Sequence, residues 1–276
     1  MKVRLHCFAH AGAGASAFRR WNRYTGGGAE TVSWPLPGRD RRRGEPRVTT
    51  REALLADLRP LFEQVADAPE VPYVLYGHSL GGAVAYTVAH ALQEAGLPGP
   101  ALLAIGACPP PDTPAVLASC AELPDAELLR VLDGFGAAPP GAEPGDLWHR
   151  CVLPVLRDDL RLALALRGAA AGRVTVPLLA VNGAEDRLAS AATLAGWSRW
   201  TTARTVQRTL PGGHFFVRER ELPRLLGRGA RVVLRARTGL IPQHPADRLT
   251  ATDDPWHAFR GGRVMPRPAG APSNAR

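Results

Sequence analysis

At 276 residues, 45% of them hydrophobic, the chain is long enough for one α/β domain with a large core, and it has no apolar run of the ~18 residues a membrane-spanning helix requires. The formal net charge of +9 is concentrated near the C-terminus, where residues 227–276 carry nine Arg against three Asp. Cys7, Cys108, Cys120 and Cys151 lack the paired C-x-x-C spacing of zinc or redox centres, and the polar start Met1-Lys2-Val3-Arg4 has no signal-type apolar segment, so a cytoplasmic protein with reduced, buried cysteines is expected.

Residues 3–8 read as a short buried strand, followed by the small-residue loop Ala9-His10-Ala11-Gly12-Ala13-Gly14. Residues 31–34 form a second strand that runs into the rigid turn Pro35-Leu36-Pro37-Gly38-Arg39. Thr49 and Glu52 have capping-box spacing, and Leu54, Leu55, Leu58, Leu61, Phe62 and Val65 follow with helical period. Residues 71–76 are a buried strand, residues 80–95 a helix closed by Gly96 and Pro98, and residues 101–106 a strand stopped by Cys108-Pro109-Pro110-Pro111. This alternation of helix and strand predicts a parallel sheet covered on both faces.

Over residues 112–173 the alternation lapses. Helices are predicted near 125–132 and 147–166, around a Gly-, Pro- and Ala-rich loop at 134–145, and together they suit an inserted lid. Strands return at 174–181 and 205–210, the second ending at Pro211-Gly212-Gly213-His214. Residues 1–226 are therefore read as one domain with its lid, and residues 227–276 as a basic extension that is partly disordered. A nucleic-acid role for that extension is the weaker reading, since arginine-rich ends are commonly just solvated.

Gly77-His78-Ser79-Leu80-Gly81 is a G-x-S-x-G stretch between a strand and a helix, the sequence form of a nucleophile elbow. A serine hydroxyl needs a base to take its proton, and the base needs a carboxylate to set its tautomer. Ser79, Asp186 and His214 occur in the order Ser, acid, His, with the acid and the His each in a loop after a late strand. Asp112, in the loop after the strand at 101–106, is the rival acid. The Leu80 N–H, at the start of the helix, is one expected oxyanion donor, and Ala11 in the loop after the first strand is the second. His78 reads as structural, and His10 has no companion at metal-ligand spacing, so neither a metal nor a cofactor is expected.

Several segments resemble the type II thioesterases that accompany polyketide and non-ribosomal peptide synthases: Cys7-Phe8-Ala9-His10-Ala11-Gly12, Leu36-Pro37-Gly38-Arg39, Tyr76 to Gly82, Asp186, and Pro211-Gly212-Gly213-His214-Phe215-Phe216, together with Leu123-Pro124-Asp125 and residues 153–159 of the lid. The resemblance spans about residues 5–226 and implies an α/β-hydrolase fold. It also implies hydrolysis of acyl thioesters on the phosphopantetheine arm of acyl or peptidyl carrier proteins, clearing stalled or misprimed synthases. Carriers of that kind are acidic, and Arg39, Arg41, Arg42 and Arg43 are candidates to dock one. The other readings are a small-molecule carboxylesterase or lipase with the same residues, and a non-catalytic hydrolase-fold binding protein.

Overall fold

A computed structural model of the protein describes residues 2–138, 143–170 and 172–237. The apolar runs pair side by side into one sheet of parallel strands, β1 (Val3–Phe8), β2 (Ala29–Ser33), β3 (Tyr73–His78), β4 (Leu102–Gly106), β5 (Leu178–Gly183) and β6 (Thr205–Leu210), in the spatial order β2-β1-β3-β4-β5-β6. Every residue of β3, β4 and β5 is buried, as expected of strands covered on both faces. The chain leaves β1 towards β2 on one side and later returns to β3 on the other, so the sheet order reverses between β1 and β3. That reversal opens a crevice at their carboxyl ends.

One face of the sheet is covered by α1 (Arg51–Asp57), α2 (Arg59–Asp67), α3 (Leu80–Glu94) and the C-terminal part of a lid helix, with Leu61, Leu75, Val88 and Trp197 deep in that core. The other face is covered by short 3-10 turns and by a C-terminal helix around Trp21, Tyr76 and Phe216. The lid consists of α4 (Asp125–Gly134), α5 (Leu147–Cys151) and α6 (Leu153–Gly168), and it has its own small core of Leu128, Leu132, Leu153 and Leu156. This is the expected α/β-hydrolase arrangement. Residues 139–142 and 171 of the expected 112–173 insertion lie outside the described residues.

Several boundaries differ from the sequence reading. The helix before β3 starts one residue later, with Thr50 rather than Thr49 accepting the Ala53 N–H (3.2 Å), and it breaks at Leu58. The lid helix expected over 147–166 breaks in the same way at Val152. Pro60 and Pro154 each sit in the first turn of the second piece, where a missing N–H costs nothing, whereas in a continuous helix each would clash with the carbonyl four residues earlier. The strand expected at 174–181 begins only after Pro177, and Val174 makes an isolated bridge to Thr201. Short helical segments over Ala191–Leu194, designated α7, and Ala195–Arg199 join β5 to β6.

The expected domain boundary at 226 falls inside a helix, α8 (Glu221–Arg237). Leu222, Leu225, Leu226 and Ala230 bury one face of α8 against the sheet, and Gly227 lets it approach Thr25 so closely that a Cβ there would lie 2.0 Å from the Thr25 carbonyl oxygen. Residues 238–276 of the expected extension lie outside the described residues. All four cysteines are free. Cys7 and Cys108 are buried as expected, but Cys120 is half-buried and Cys151 is exposed on the short helix α5.

His6 on β1 is 1% exposed and accepts a hydrogen bond from Trp34 Nε1 at Nδ1 (2.9 Å). Burial, and then the nearby charge of Arg4, lower its pKa to about 4. The folded protein thus keeps His6 neutral where the unfolded chain protonates it near 6.5, so this contribution to stability is complete above about pH 6.5 and is lost as pH falls towards 4. Thermal melts of the wild type from pH 7 to 4 are expected to show that loss. His6→Gln, which keeps an acceptor for Trp34, is expected to flatten the dependence; an unchanged slope would remove His6 as a cause.

Candidate active site

Parallel pairing of β1 with β3 sets Phe8 beside Gly77, so the loop after β1 and the turn after β3 emerge together at the crevice. Ser79 occupies that turn with φ 55° and ψ −117°, a backbone conformation sparsely populated by any residue with a Cβ. The surroundings hold it there. Ser79 N–H donates to the Gly106 carbonyl and Gly82 N–H donates to the Ser79 carbonyl, both at 2.8 Å.

The two flanking glycines are required by close backbone approach. A Cβ on Gly77 would stand 1.7 Å from the Gly81 carbonyl oxygen, and one on Gly81 would stand 2.1 Å from that of Phe8. Neither neighbour is a flexible side chain that can move aside. Gly81→Ala is expected to cost about 3 kcal/mol, the upper end of ordinary overpacking penalties, read as a fall in melting temperature. Gly44→Ala, which meets nothing within 4 Å, is the control; equal melting of the two variants would contradict the steric account.

His214 follows β6 and Asp186 follows β5. His214 Nδ1 lies 3.1 Å and 3.0 Å from the two Asp186 carboxylate oxygens, and the Asp186 side chain is fully buried. Oδ1 of Asp186 also accepts from the Leu188 and Ala189 N–H groups (2.9 and 3.1 Å), which fixes the carboxylate in its turn. The rival acid is engaged elsewhere: Asp112 accepts from Arg199 (2.7 Å) and from Trp200 Nε1 (3.2 Å). Ser79 and His214 line the same cavity.

His78, beside the nucleophilic position, is fully buried and linked on both ring nitrogens. Tyr76 OH lies 2.8 Å from its Nδ1, and its Nε2 lies 2.7 Å from the His214 carbonyl oxygen. Burial, followed by the charges of His214 and His10, lowers its pKa well below the usual value, so the ring is neutral. A neutral ring that accepts the tyrosine proton at Nδ1 must donate from Nε2, and that bond ties the backbone of His214 to β3. His10 packs edge-on against His78 and Phe215 with ring centroids at 5.8 and 5.2 Å; burial, then Arg218 and His214, lower its pKa to about 4.

The two residues expected to supply oxyanion donors both border the cavity. Leu80 is the first residue of α3, where no helical carbonyl precedes its N–H. In the loop after β1, Gly12 N–H donates to Asp159 Oδ2 (2.7 Å) and Ala13 N–H to the His10 carbonyl (3.0 Å), whereas Ala11 N–H bonds to no acceptor among the described residues. Ala11 and Leu80 both line the cavity.

The buried pair that holds this loop was not anticipated. Arg39 and Asp159 form a two-pronged ion pair at 2.8 and 2.6 Å, with side chains 8% and 2% exposed, and Arg39 also donates to the Ala13 carbonyl (3.1 Å). One carboxylate on lid helix α6 thereby fastens the loop after β1 and the Leu-Pro-Gly-Arg turn. Arg39 is therefore unavailable to dock a partner. Arg42 is committed as well, forking onto Glu45 and Asp57, so only Arg41 and Arg43 of the four proposed docking arginines keep that possibility.

The cavity has a volume of about 210 Å³ and extends from Ser79 under the lid, where Val116, Leu132, Val152, Leu156, Leu160 and Ala163 give it apolar walls. Such walls suit an acyl chain more than a polar ligand. Among the described residues no group of three His, Cys, Asp or Glu side chains is arranged to hold a metal, and no helix is long and apolar enough to cross a membrane.

Comparison with known proteins agrees with this geometry. The chain is similar to a thioesterase assigned to cadicidin biosynthesis in Streptomyces griseus, with 34% identity over 78% of this chain and 58% of that protein, so it spans little more than half of that relative. It is 30% identical to the thioesterase PikA5 of Streptomyces venezuelae over 79% of this chain and 76% of that one. Its fold is similar to that of the RedJ thioesterase from the prodiginine pathway of Streptomyces coelicolor, with TM-score 0.71 and 31% identity, covering 82% of this chain and 85% of the other. The thioesterase domain family matches residues 3–229, and the chain belongs to that family.

Proposed function

We propose that the protein is a stand-alone type II thioesterase that hydrolyses acyl thioesters held on the phosphopantetheine arm of acyl or peptidyl carrier proteins, releasing stalled or misprimed chains from a polyketide or non-ribosomal peptide synthase. The observation that carries this reading is that Ser79 and an Asp186-held His214 line one apolar cavity under a lid. Relatives named for cadicidin biosynthesis and for the prodiginine pathway support the biosynthetic setting.

In this reading Ser79 Oγ attacks the thioester carbonyl while His214 Nε2 takes its proton, and Asp186 holds the Nδ1 proton and stabilises the imidazolium. The negative charge that develops on the carbonyl oxygen rests on the Leu80 and Ala11 N–H groups. Collapse of the tetrahedral intermediate breaks the C–S bond, and His214 returns the proton to the leaving thiol. A water then enters, His214 takes its proton, and the acyl–Ser79 ester is cleaved to free acid and serine. Side chains and backbone donors suffice for every step, with no metal or dissociable cofactor.

The test is mass spectrometry of an acylated carrier protein incubated with the wild type and with Ser79→Ala. Loss of the acyl mass with the wild type alone supports the proposal. Faster turnover of a simple oxygen ester than of the carrier thioester would instead favour a carboxylesterase. Failure of a fluorophosphonate to label Ser79 in the folded protein would leave a binding role without catalysis.

A further inference from the structure

A second cavity, of about 480 Å³, adjoins the catalytic one and shares His10 and Arg218 with it. Its chemistry is the opposite of the acyl cavity's, since Arg19, Arg20, Arg218 and Arg220 line it together with Tyr24, and Glu219 contributes a carboxylate. Arg19 and Arg20 are exposed at the junction of the 3-10 turns Ala15–Phe18 and Trp21–Arg23, and Arg218 lies in the turn that follows His214. Arg220 pairs with Glu221 at 3.3 Å. Arg19, Arg20 and Arg218 have no carboxylate partner among the described residues; Arg218 lies over the Phe215 ring, 4.7 Å from its centroid.

The positive surface continues beyond the cavity. Arg224 on α8 covers the Tyr24 ring at 5.9 Å, and one turn further on burial, followed by the charges of Arg231 and Arg224, lowers the pKa of Arg228. Gathered cations repel one another and disfavour the folded state unless an anion joins them. Guanidinium forks suit phosphate oxygens in particular.

We propose that this arginine-lined cavity binds the phosphate of the phosphopantetheine arm, so that the arm runs past the shared His10 and Arg218 wall and presents its thioester to Ser79. The inference rests on the carrier-thioester reading above for the identity of the arm. It moves the docking function from the Leu-Pro-Gly-Arg turn, where two of the four arginines are committed, to the surface on the other side of the loop after β1.

Calorimetric titration with 4′-phosphopantetheine and with pantetheine at low ionic strength is the direct test. The phosphorylated compound is expected to bind at least tenfold more tightly, and the double variant Arg19→Glu/Arg20→Glu to erase the difference. Equal binding of the two compounds by the wild type overturns the site, whether or not any thioester is hydrolysed. In turnover, the wild-type ratio of kcat/KM for acyl-phosphopantetheine over acyl-pantetheine is expected to be tenfold or more and to fall towards one in the double variant. Hydrolysis of both at equal rates leaves the thioesterase reading standing and overturns the phosphate site. A double variant that loses activity on the acylated carrier but keeps the ratio on the free arm assigns these arginines to the carrier's surface and overturns it equally.

Discussion

Ser79→Ala is expected to lower kcat/KM for an acyl-pantetheine thioester by about 10⁴-fold or more, the scale on which serine hydrolases lose activity with their nucleophile. A residual rate is expected from the apolar cavity and the proposed oxyanion donors Leu80 and Ala11, which the substitution leaves in place. Asp186→Asn is expected to lower kcat by roughly 10³–10⁴-fold, because an amide beside Nδ1 no longer enforces the tautomer that leaves Nε2 free to accept a proton. Asp112→Asn is the matching control: Asp112 bonds Arg199 and Trp200 and does not touch the imidazole, so kcat is expected to stay near the wild-type value. Steady-state rates, with thermal melts to show that each variant is folded, decide the matter. Comparable losses from Asp112→Asn and Asp186→Asn would reverse the assignment of the acid.

The largest effect on stability is expected from Asp159→Ala. The Asp159 carboxylate accepts from both Arg39 Nη groups and from Gly12 N–H, so its removal leaves a guanidinium buried without a counter-charge and frees the loop after β1. Breaking a buried pair from one side costs about 3–5 kcal/mol, which in a domain of this size lowers the melting temperature by roughly 6–20 °C. Activity measured well below the new melting point is expected to fall as well, by about 10²-fold, since a misplaced oxyanion donor costs on that order. The double substitution Arg39→Met/Asp159→Leu is expected to recover part of the lost stability, because no charge is then stranded, but not the activity, because Gly12 still lacks its anchor. Differential scanning calorimetry and kcat on the three proteins test both halves. An Asp159→Ala variant that melts with the wild type would show that the clasp carries no weight.

The centre of the sheet was legible because a strand buried on both faces must be apolar at nearly every position, and residues 71–76 and 101–106 announce themselves in that way. Pro60 and Pro154 were visible too, yet the leucine periodicity on either side of each one runs on without interruption. The periodicity therefore predicts continuous helices, whereas the backbones break at Leu58 and Val152. The part of α8 from residue 227 onward looks like the start of a tail in the sequence because Gly227, Gly229 and four arginines over residues 228–237 weaken its helical appearance. What makes it a helix is its apolar face, Leu222, Leu225, Leu226 and Ala230, buried against a sheet that is not adjacent in the chain.

By itself the sequence determined the elbow and the order Ser79, Asp186, His214. Those features obey local rules: small residues where backbones cross, and reactive side chains in loops at strand ends. Tertiary structure alone decided that His214 meets Asp186 rather than Asp112, that Arg39 is a buried fastener for the lid rather than a docking residue, and that four arginines face one cavity beside the site. Each of these depends on which side chains meet across tens to more than a hundred positions of chain, His214 with Asp186, Arg39 with Asp159, and Arg19 with Arg218 along one cavity, and such pairing or gathering of charge is set by packing, not by spacing along the backbone.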